Sequence, residues 1–504
     1  MKPGNDLMLT LIENVCTFAE QSLRDFATNE LDGNLETLTP SLANDVFAGL
    51  HKSLIEAGRK AFEAFIQSYG KDLPATVTFE GVEWRRGCTE RKEFLTKFGE
   101  ISLERGLYYA QDSQREHAPK SEALGKAFVP LDCLWEMEGR NATVDMVEEL
   151  LYLSASQATK EATRSFNRIS GLNVTSTRVY QIIQKDGKRF KEYADTHRQE
   201  RWRLLEPPER AEAFSVSLDG GNLALREAGK KRGRSSSRPE HEENEPKDGK
   251  KSSYKNAMVG SYSFYATEEV CDHTGEISMR PERLCSAYTA KMPEERYTSF
   301  KEENREVLKF IHEKILTAKA MTKLLIMDGA PALWHYARES GLFEEYDWIL
   351  DFYHASEHLS TLSKALFGED TDLAKAWYKK WRRKLKKEEG AVTGLLRSIN
   401  YYGKKNCLRG ERKKTWEKEK GFFTRNQEIM NYAIYYAEGL PIGSGPVEAA
   451  CKTIVKSRMC QSGMRWNRES GANVLNLRVI KQSDQWDDMW SLYRREAWNL
   501  RKAA

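Results

Sequence analysis

Residues 323–329 read KLLIMDG, an unbroken apolar run that stops at an acid and a glycine. A run of this length, bounded by charge and glycine, is the pattern of a strand buried on both faces, which belongs inside a sheet. A second stretch, FSVSLDGG at 214–221, alternates apolar with small polar residues and also reaches Asp-Gly. Both are read as strands ending at their acids, so that Asp219 and Asp328 project from the carboxyl edge of a sheet, where ligand crevices form in α/β folds. Taken singly, each Asp has a plainer role as a turn residue or a helix N-cap. Two in matching contexts favour a site.

Outward from these strands the chain divides by pattern. Residues 1 to about 70 carry apolar side chains at helical spacing, among them Leu7, Leu11, Val15 and Phe18, then Leu50, Leu54, Ala57 and Phe62. From 75 to 110 the alternation of Val77 and Phe79 with Thr, and the runs on either side of Gly99, predict a small β-ribbon. Residues 111–126 are polar and expected to be loose. Three short helices are predicted between 143 and 193, the last opening at Thr175-Ser176-Thr177, whose hydroxyls can cap free N–H groups. That helix carries Val179, Ile182 and Ile183 on one face, with Arg178, Tyr180, Gln181 and Lys185 largely on others. The plan is helix-turn-helix, with Arg178 and Lys185 toward DNA, or else an ordinary helical bundle.

Pro207-Pro208 then opens a new domain, and 227–255, nearly devoid of apolar residues, is expected to be a flexible loop. Strands are predicted at 258–267 and 348–353, helices at 299–319 and throughout 356–438, and a helix pair broken near Gly463 at 444–481. The expected domains are 1–72 helical, 73–140 β-ribbon, 141–205 helix-turn-helix, 206–355 first part of a catalytic core, 356–438 a basic helical insertion, and 439–504 the core's last helices.

The 504 residues are 40% hydrophobic and 31% charged, enough to bury sizeable cores behind a well-charged surface. No stretch approaches the ~20 uncharged apolar residues of a bilayer span, and acids interrupt the first apolar run, so neither a membrane span nor a secretory signal is expected. Eight scattered cysteines without a C-x-x-C read as reduced thiols of a cytoplasmic protein. Residues 375–425 hold eighteen Lys and Arg against five acids, a balance of +13 on a chain of net charge +4, which leaves −9 elsewhere. Such a block suits a polyanionic partner or, more plainly, a solvated helical face.

A third acid lies in LPIGSGPVEAACK at 440–452, where a Gly/Ser/Pro turn launches a helix with Glu448 in its first turns. The alternative is an acid favoured there by the helix dipole. Three carboxylates converging from two strands and a helix suit a pair of divalent cations, Mg²⁺ or Mn²⁺, the arrangement that neutralises attacking and leaving oxygens when a phosphodiester is cut or rejoined. Neither a nucleophilic triad nor a P-loop offers another chemistry.

In this order, Asp219, then LLIMDGAPALWHYA, DFYHASEHL and the long segment LPIGSGPVEAACKTIVKSRMCQSGMRWNRESGANVLNLR, the chain resembles bacterial insertion-sequence transposases of the DDE class, in the Kra-type family related to Mutator-like enzymes. The similarity covers roughly 140–481 and is most specific at 443–478. The resemblance implies an α+β protein with an RNase H-like mixed-sheet core interrupted by a helical insertion. It also implies that Asp219, Asp328 and Glu448 are the metal-binding triad, and that Asp351 and His354, matching an Asp/Cys-x-x-His element, support the edge of the site. Family members tend to carry paired cysteines in the N-terminal β region, whereas only Cys88 stands there. Either that region folds without metal or end recognition differs.

Other residues have competing assignments. His354 and His358 are spaced i, i+4, which invites zinc, but Glu357 intervenes and no third ligand has suitable spacing. His354 either orders the site's edge, bonds a DNA phosphate or is a satisfied structural histidine. Trp377 and Trp381, set among cations, either stack on a splayed base or fill the insertion's core. Lys452, Lys456, Arg458 and Arg465, with Trp466, are expected to hold DNA phosphates beside the triad. The expected function is a DNA transposase acting on its element's terminal inverted repeats and on target DNA. It would work as a homo-oligomer in the bacterial nucleoid, with no membrane and no small-molecule substrate. The alternatives are a junction nuclease of the same fold that cuts without joining, or an inactive, transposase-derived DNA-binding protein.

Overall fold

A computed structural model describes residues 5–29, 40–71, 73–79, 81–110, 127–137, 139–226, 254–271, 273, 275, 277–294, 297–317 and 321–503. The expected loose segment 111–126 and most of the expected loop 227–255 lie outside the described residues, although 254 and 255 already belong to a strand. The chain forms two compact units, Met1–Tyr193 with Asp487–Ala504, and Ala194–Trp486.

In the first unit, α1 (Asn5–Asn29) and α2 (Pro40–Lys71) are the long helices that the apolar spacing predicts. β1 (Thr76–Phe79), β2 (Val82–Thr96) and β3 (Gly99–Ala110) form an antiparallel sheet in that order. The β2–β3 hairpin turns at Gly99, whose φ of +106° is open to glycine. Ile66 of α2 packs with Phe94, Ile101 and Leu103 of the sheet and with Leu131 of α3 (Pro130–Leu134), so the ribbon has an apolar core. The three predicted helices follow as α4 (Val144–Ser156), α5 (Thr159–Ser170) and α6 (Ser176–Thr196). Gly171, at φ +70°, closes α5 as a left-handed cap.

The second unit opens with α7 (Arg198–Arg203), β4 (Ala213–Ala224), β5 (Tyr254–Cys271) and β6 (Ile277–Lys291). There follow α8 (Thr298–Thr317), β7 (Thr322–Met327), α9 (Pro331–Ser340), β8 (Asp347–Leu350) and α10 (Phe352–Phe367). The sheet is mixed, in the order β6-β5-β4-β7-β8: β4, β5 and β6 pair antiparallel, while β7 runs parallel to β4, and β8 to β7. Four helices continue the chain, α11 (Asp372–Lys387), α12 (Ala391–Lys405), α13 (Gly410–Asn426) and α14 (Tyr432–Ala437). Then come α15 (Gly445–Ala450), a π-helical turn over Cys451–Lys456, α16 (Ser457–Met459) and α17 (Arg468–Gln482). Both faces of the sheet are covered. Phe214, Val216 and Leu218 of β4 pack toward α8, α9 and α10, while Leu223 of β4 and Val259 of β5 pack against Val447, Ile454, Val455 and Leu475. The last helix, α18 (Trp486–Ala503), packs in the first unit, where Trp490 stacks on Phe190 with ring centroids 4.4 Å apart. The α+β class expected from the sequence is what the chain adopts. Among the described residues no helix is long and apolar enough to cross a membrane.

Three local expectations are corrected. β4 does not stop at Asp219 but pairs with β5 through Ala224. Gly220 and Gly221 are strand residues rather than a turn, and each serves close packing. A Cβ would meet Asn256 at 3.1 Å from Gly220 and Val455 at 3.1 Å from Gly221. The strand expected at 348–353 ends at Leu350, because Asp351 caps a helix that begins at Phe352. β6, which the sequence did not predict, is an edge strand carrying Pro281, the position in a sheet where proline is tolerated.

Candidate functional site

The parallel pairing of β4 with β7 runs from Ala213↔Thr322 to Val216↔Leu325. Carried three residues further, the same offset sets Asp219 opposite Asp328, one step past the end of β7. Beyond Val216 the β4–β7 ladder lapses while β4 stays bonded to β5, and in that gap both acids line one cavity of about 200 Å³. Each is fixed by a backbone donor. Gly220 N–H donates to Asp219 Oδ1 at 2.6 Å, and Ala330 N–H to Asp328 Oδ1 at 2.9 Å. Trp334 Nε1 donates to the Asp328 carbonyl at 2.6 Å, tying α9 to the end of β7.

Burial raises the Asp219 carboxyl above the usual range, and the neighbouring Asp328 charge raises it further, whereas the Gly220 N–H, the Cys451 thiol and the Lys456 charge oppose this. Cys451 is buried in the π-helical turn beside Asp219; burial first, then the Asp219 and Glu448 charges, push its own pKa up. Two carboxylates lining one cleft, with Lys301 beside them, form an oxygen donor set that suits a hard divalent cation.

Glu448 stands apart from this pair. It is exposed on α15, lies 3.9 Å from Lys452, and does not line the cavity. Cys451, beside Asp219, also senses the Glu448 charge. Among the described residues no group of three His, Cys, Asp or Glu side chains is disposed to hold a metal ion. Asp219 and Asp328 are brought together, and Glu448 is not drawn into one set with them.

Asp351 is buried and fully engaged. One oxygen caps α10 through Tyr353 N–H and His354 N–H, at 2.6 and 2.8 Å, and the other accepts from Ser444, immediately before α15. It supports the site by joining β8, α10 and the start of α15, the helix that carries Glu448. His354 Nε2 lies 3.2 Å from His358 Nε2, and His358 Nδ1 lies 2.5 Å from Oε2 of the buried Glu419. His358 also stacks on Phe422, centroids 3.7 Å apart, and Phe422 abuts Gly329 beside Asp328. A histidine pair oriented by a buried carboxylate therefore sits at the same sheet edge.

Several expected DNA contacts are corrected by their surroundings. Trp377 and Trp381 are buried at 7% and 8% exposure, and Trp377 Nε1 donates to Ser398 Oγ, so both rings belong to the core and neither is offered to a base. Arg458 is buried at 3% exposure with its guanidinium over the Trp466 ring, and Trp466 bridges to β4 through Ala224 and Arg226; both are structural. Arg178 bonds the Asn141 carbonyl and faces Glu100, which ties α6 to the ribbon. Lys185, Lys452, Lys456 and Arg465 remain exposed. The sequence reading missed Lys160, Arg164 and Arg168, an exposed basic stripe at i, i+4, i+8 on α5 whose spacing was there to be seen. It also missed Cys451, and Arg478, which crosses from α17 to the Thr453 and Ile454 carbonyls that the π-helical turn leaves open. Compared with known proteins, the chain matches no family model and no curated sequence.

Proposed function

We propose that this chain is a DNA transposase of the DDE class, with an RNase H-like core in its second unit, that cuts and rejoins phosphodiesters at the ends of its own element. The observation that carries the proposal is that Asp219 on β4 and Asp328, directly after the parallel neighbour β7, line one cleft together. The resemblance of 140–481 to Kra-type transposases supports it, as does the cluster of cations on the exposed side of α11, where Lys379, Arg382, Arg383 and Lys386 line a groove of about 370 Å³.

Asp219 and Asp328 would hold the Mg²⁺ or Mn²⁺ ions, and Glu448, which stands apart from them here, would have to approach for the triad to close. When bound, the ions would activate the attacking oxygen and stabilise the leaving one. The chain's own groups do the rest. Gly220 and Ala330 N–H groups orient the two aspartates, the Cys451 thiol lies beside Asp219, and Asp351 fixes Ser444, the residue before the helix that carries Glu448. Lys456, whose charge reaches Asp219, stands ready for a phosphate. Exposed cations of α5, α6 and α11 would bind the DNA, and a homo-oligomer would pair two ends. The test is a divalent-cation-dependent nicking and strand-transfer assay on DNA carrying the sequences that flank the reading frame. Asp219→Asn and Asp328→Asn should each abolish cutting and joining while retaining DNA binding. Full cutting by either variant removes that residue from the triad. Cutting without joining makes the chain a nuclease, and binding alone makes it an inactive relative.

A further inference from the structure

We propose that the cavity beside Asp219 and Asp328 is a nucleobase pocket, which receives one base turned out of its stack next to the phosphodiester being processed. The proposal rests on the DNA-transacting function above and names what that site holds besides the phosphate.

The cavity is larger than the carboxylates need. At about 200 Å³ it exceeds the ~150 Å³ void that accommodates a benzene ring, and it is smaller than the pockets that enclose drug-sized ligands. Its floor is apolar, formed by Met258 of β5 and Phe300 of α8, both buried. Two further rings line it, Tyr297 just before α8 and Tyr336 on α9. Tyr336 is held by Asn304, whose Nδ2 donates to its hydroxyl at 3.3 Å, and Lys301 Nζ lies 5.5 Å from its ring centre. Tyr297 has a φ of +52°, a conformation costly for a residue with a side chain and found most often at binding sites. One amide and the Lys301 ammonium complete its polar lining beside the two acids. Asn256 lies against the Cα of Gly220, close enough that a Cβ there would touch it, so glycine at 220 gives the amide its place at the cavity wall.

Aromatic and aliphatic walls with a single amide are what an extrahelical base requires, a π-face to stack on and a donor and acceptor for its edge. Two acids against the single Lys301 leave the lining net negative, which disfavours a bare phosphate or carboxylate inside the cavity but leaves an uncharged base free to enter. The base would lie in the pocket while its phosphate remained at Asp219 and Asp328.

The experiment uses the full chain with Ca²⁺ and a short single-stranded oligonucleotide in which every second base is 2-aminopurine. Binding is followed by anisotropy of a terminal dye, and emission is read at saturating protein. Stacking in the pocket should quench 2-aminopurine severalfold. Tyr336→Ala should restore the emission, and so should Ala332→Trp, which fills the cavity from its exposed rim without touching the core. Tyr336→Phe should keep the quench. Saturable binding without quenching, or equal quenching in Tyr336→Ala and Ala332→Trp, overturns the pocket and leaves the DNA function standing. Absence of saturable binding at low salt overturns the DNA function and the pocket with it.

Discussion

Asp351 accepts hydrogen bonds from both the backbone N–H and the hydroxyl of Ser444, each at 2.5 Å, across 93 residues of chain. Its other oxygen caps α10, so one buried carboxylate fastens three elements at the edge where Asp328 ends its strand. Removing it strands several donors in a dry place. Asp351→Ala should therefore cost about 3 kcal/mol, and Ser444→Ala about 1.5 kcal/mol, read as a lower urea midpoint at unchanged slope. An Asp351→Ala protein as stable as the parent would deny the carboxylate this role.

Divalent cations should stabilise the folded chain through the aspartate pair. Millimolar Mn²⁺ or Mg²⁺ is expected to raise the Tm, because a ligand that binds only the native state shifts unfolding by mass action. The rise should vanish in Asp219→Asn and in Asp328→Asn and shrink in Glu448→Gln. A rise that survives both asparagine variants would locate the ion elsewhere.

His312 of α8 predicts a pH effect remote from the site. Its ring lies 2.7 Å from the Tyr346 hydroxyl, and burial, aided by the Lys323 charge and opposed by Glu345, holds its pKa below the ordinary value. The fold therefore favours the neutral ring. This contribution is complete above the unfolded pKa of about 6.5 and is lost as pH falls from there toward the lower folded value. Urea midpoints should drop between pH 7.5 and about 5.5 in the parent, and less steeply in His312→Gln. Parallel curves for the two proteins would refute it.

The two kinds of residue in the basic region should separate cleanly. Trp377→Ala empties a core position and should cost about 3–5 kcal/mol, with little effect on DNA affinity of the folded protein. Lys456→Ala should leave stability within about 0.5 kcal/mol while weakening DNA binding and lowering the salt slope by about 1. Fluorescence anisotropy at several salt concentrations, beside denaturation curves, checks both.

Gly329 carries the contact between α13 and the residue after Asp328. A Cβ there would meet Phe422 Cε2 at 2.5 Å, so Gly329→Ala should destabilise by about 1–3 kcal/mol. Phe422→Leu in the same chain should recover part of the loss. A neutral Gly329→Ala would mean that the ring has room to move.

Asp328 was legible because an apolar run can be buried only inside a sheet, and KLLIMDG has one place to stop. FSVSLDGG gave the right strand and the wrong end, since paired glycines signal a turn unless a neighbouring helix needs the space, as Val455 does here. β6 escaped because an edge strand pairs on one side and keeps Arg280, Pro281 and Arg283 in water, a composition without the signature of burial. Trp377 and Trp381 were left open between base and core by their cationic neighbours, and the buried stripe they share with Ala374 and Leu385 decides for the core. The cavity was beyond reading. Tyr297, Tyr336 and Asn256 come from three elements and share no local pattern.

The wide turn at Cys451–Lys456 holds one residue more than an ordinary α turn would take. That surplus shifts everything after it by about 100° around the axis, one residue's worth of rotation. Glu448 and Lys456, spaced eight apart, would stand about 80° apart on a regular α-helix, and the surplus residue brings them to within about 20°, nearly onto one face. A single-residue deletion inside this turn would leave a regular helix with the acid and the lysine on that same face, whereas closing the turn to α-helix at unchanged length would swing one about 100° relative to the other.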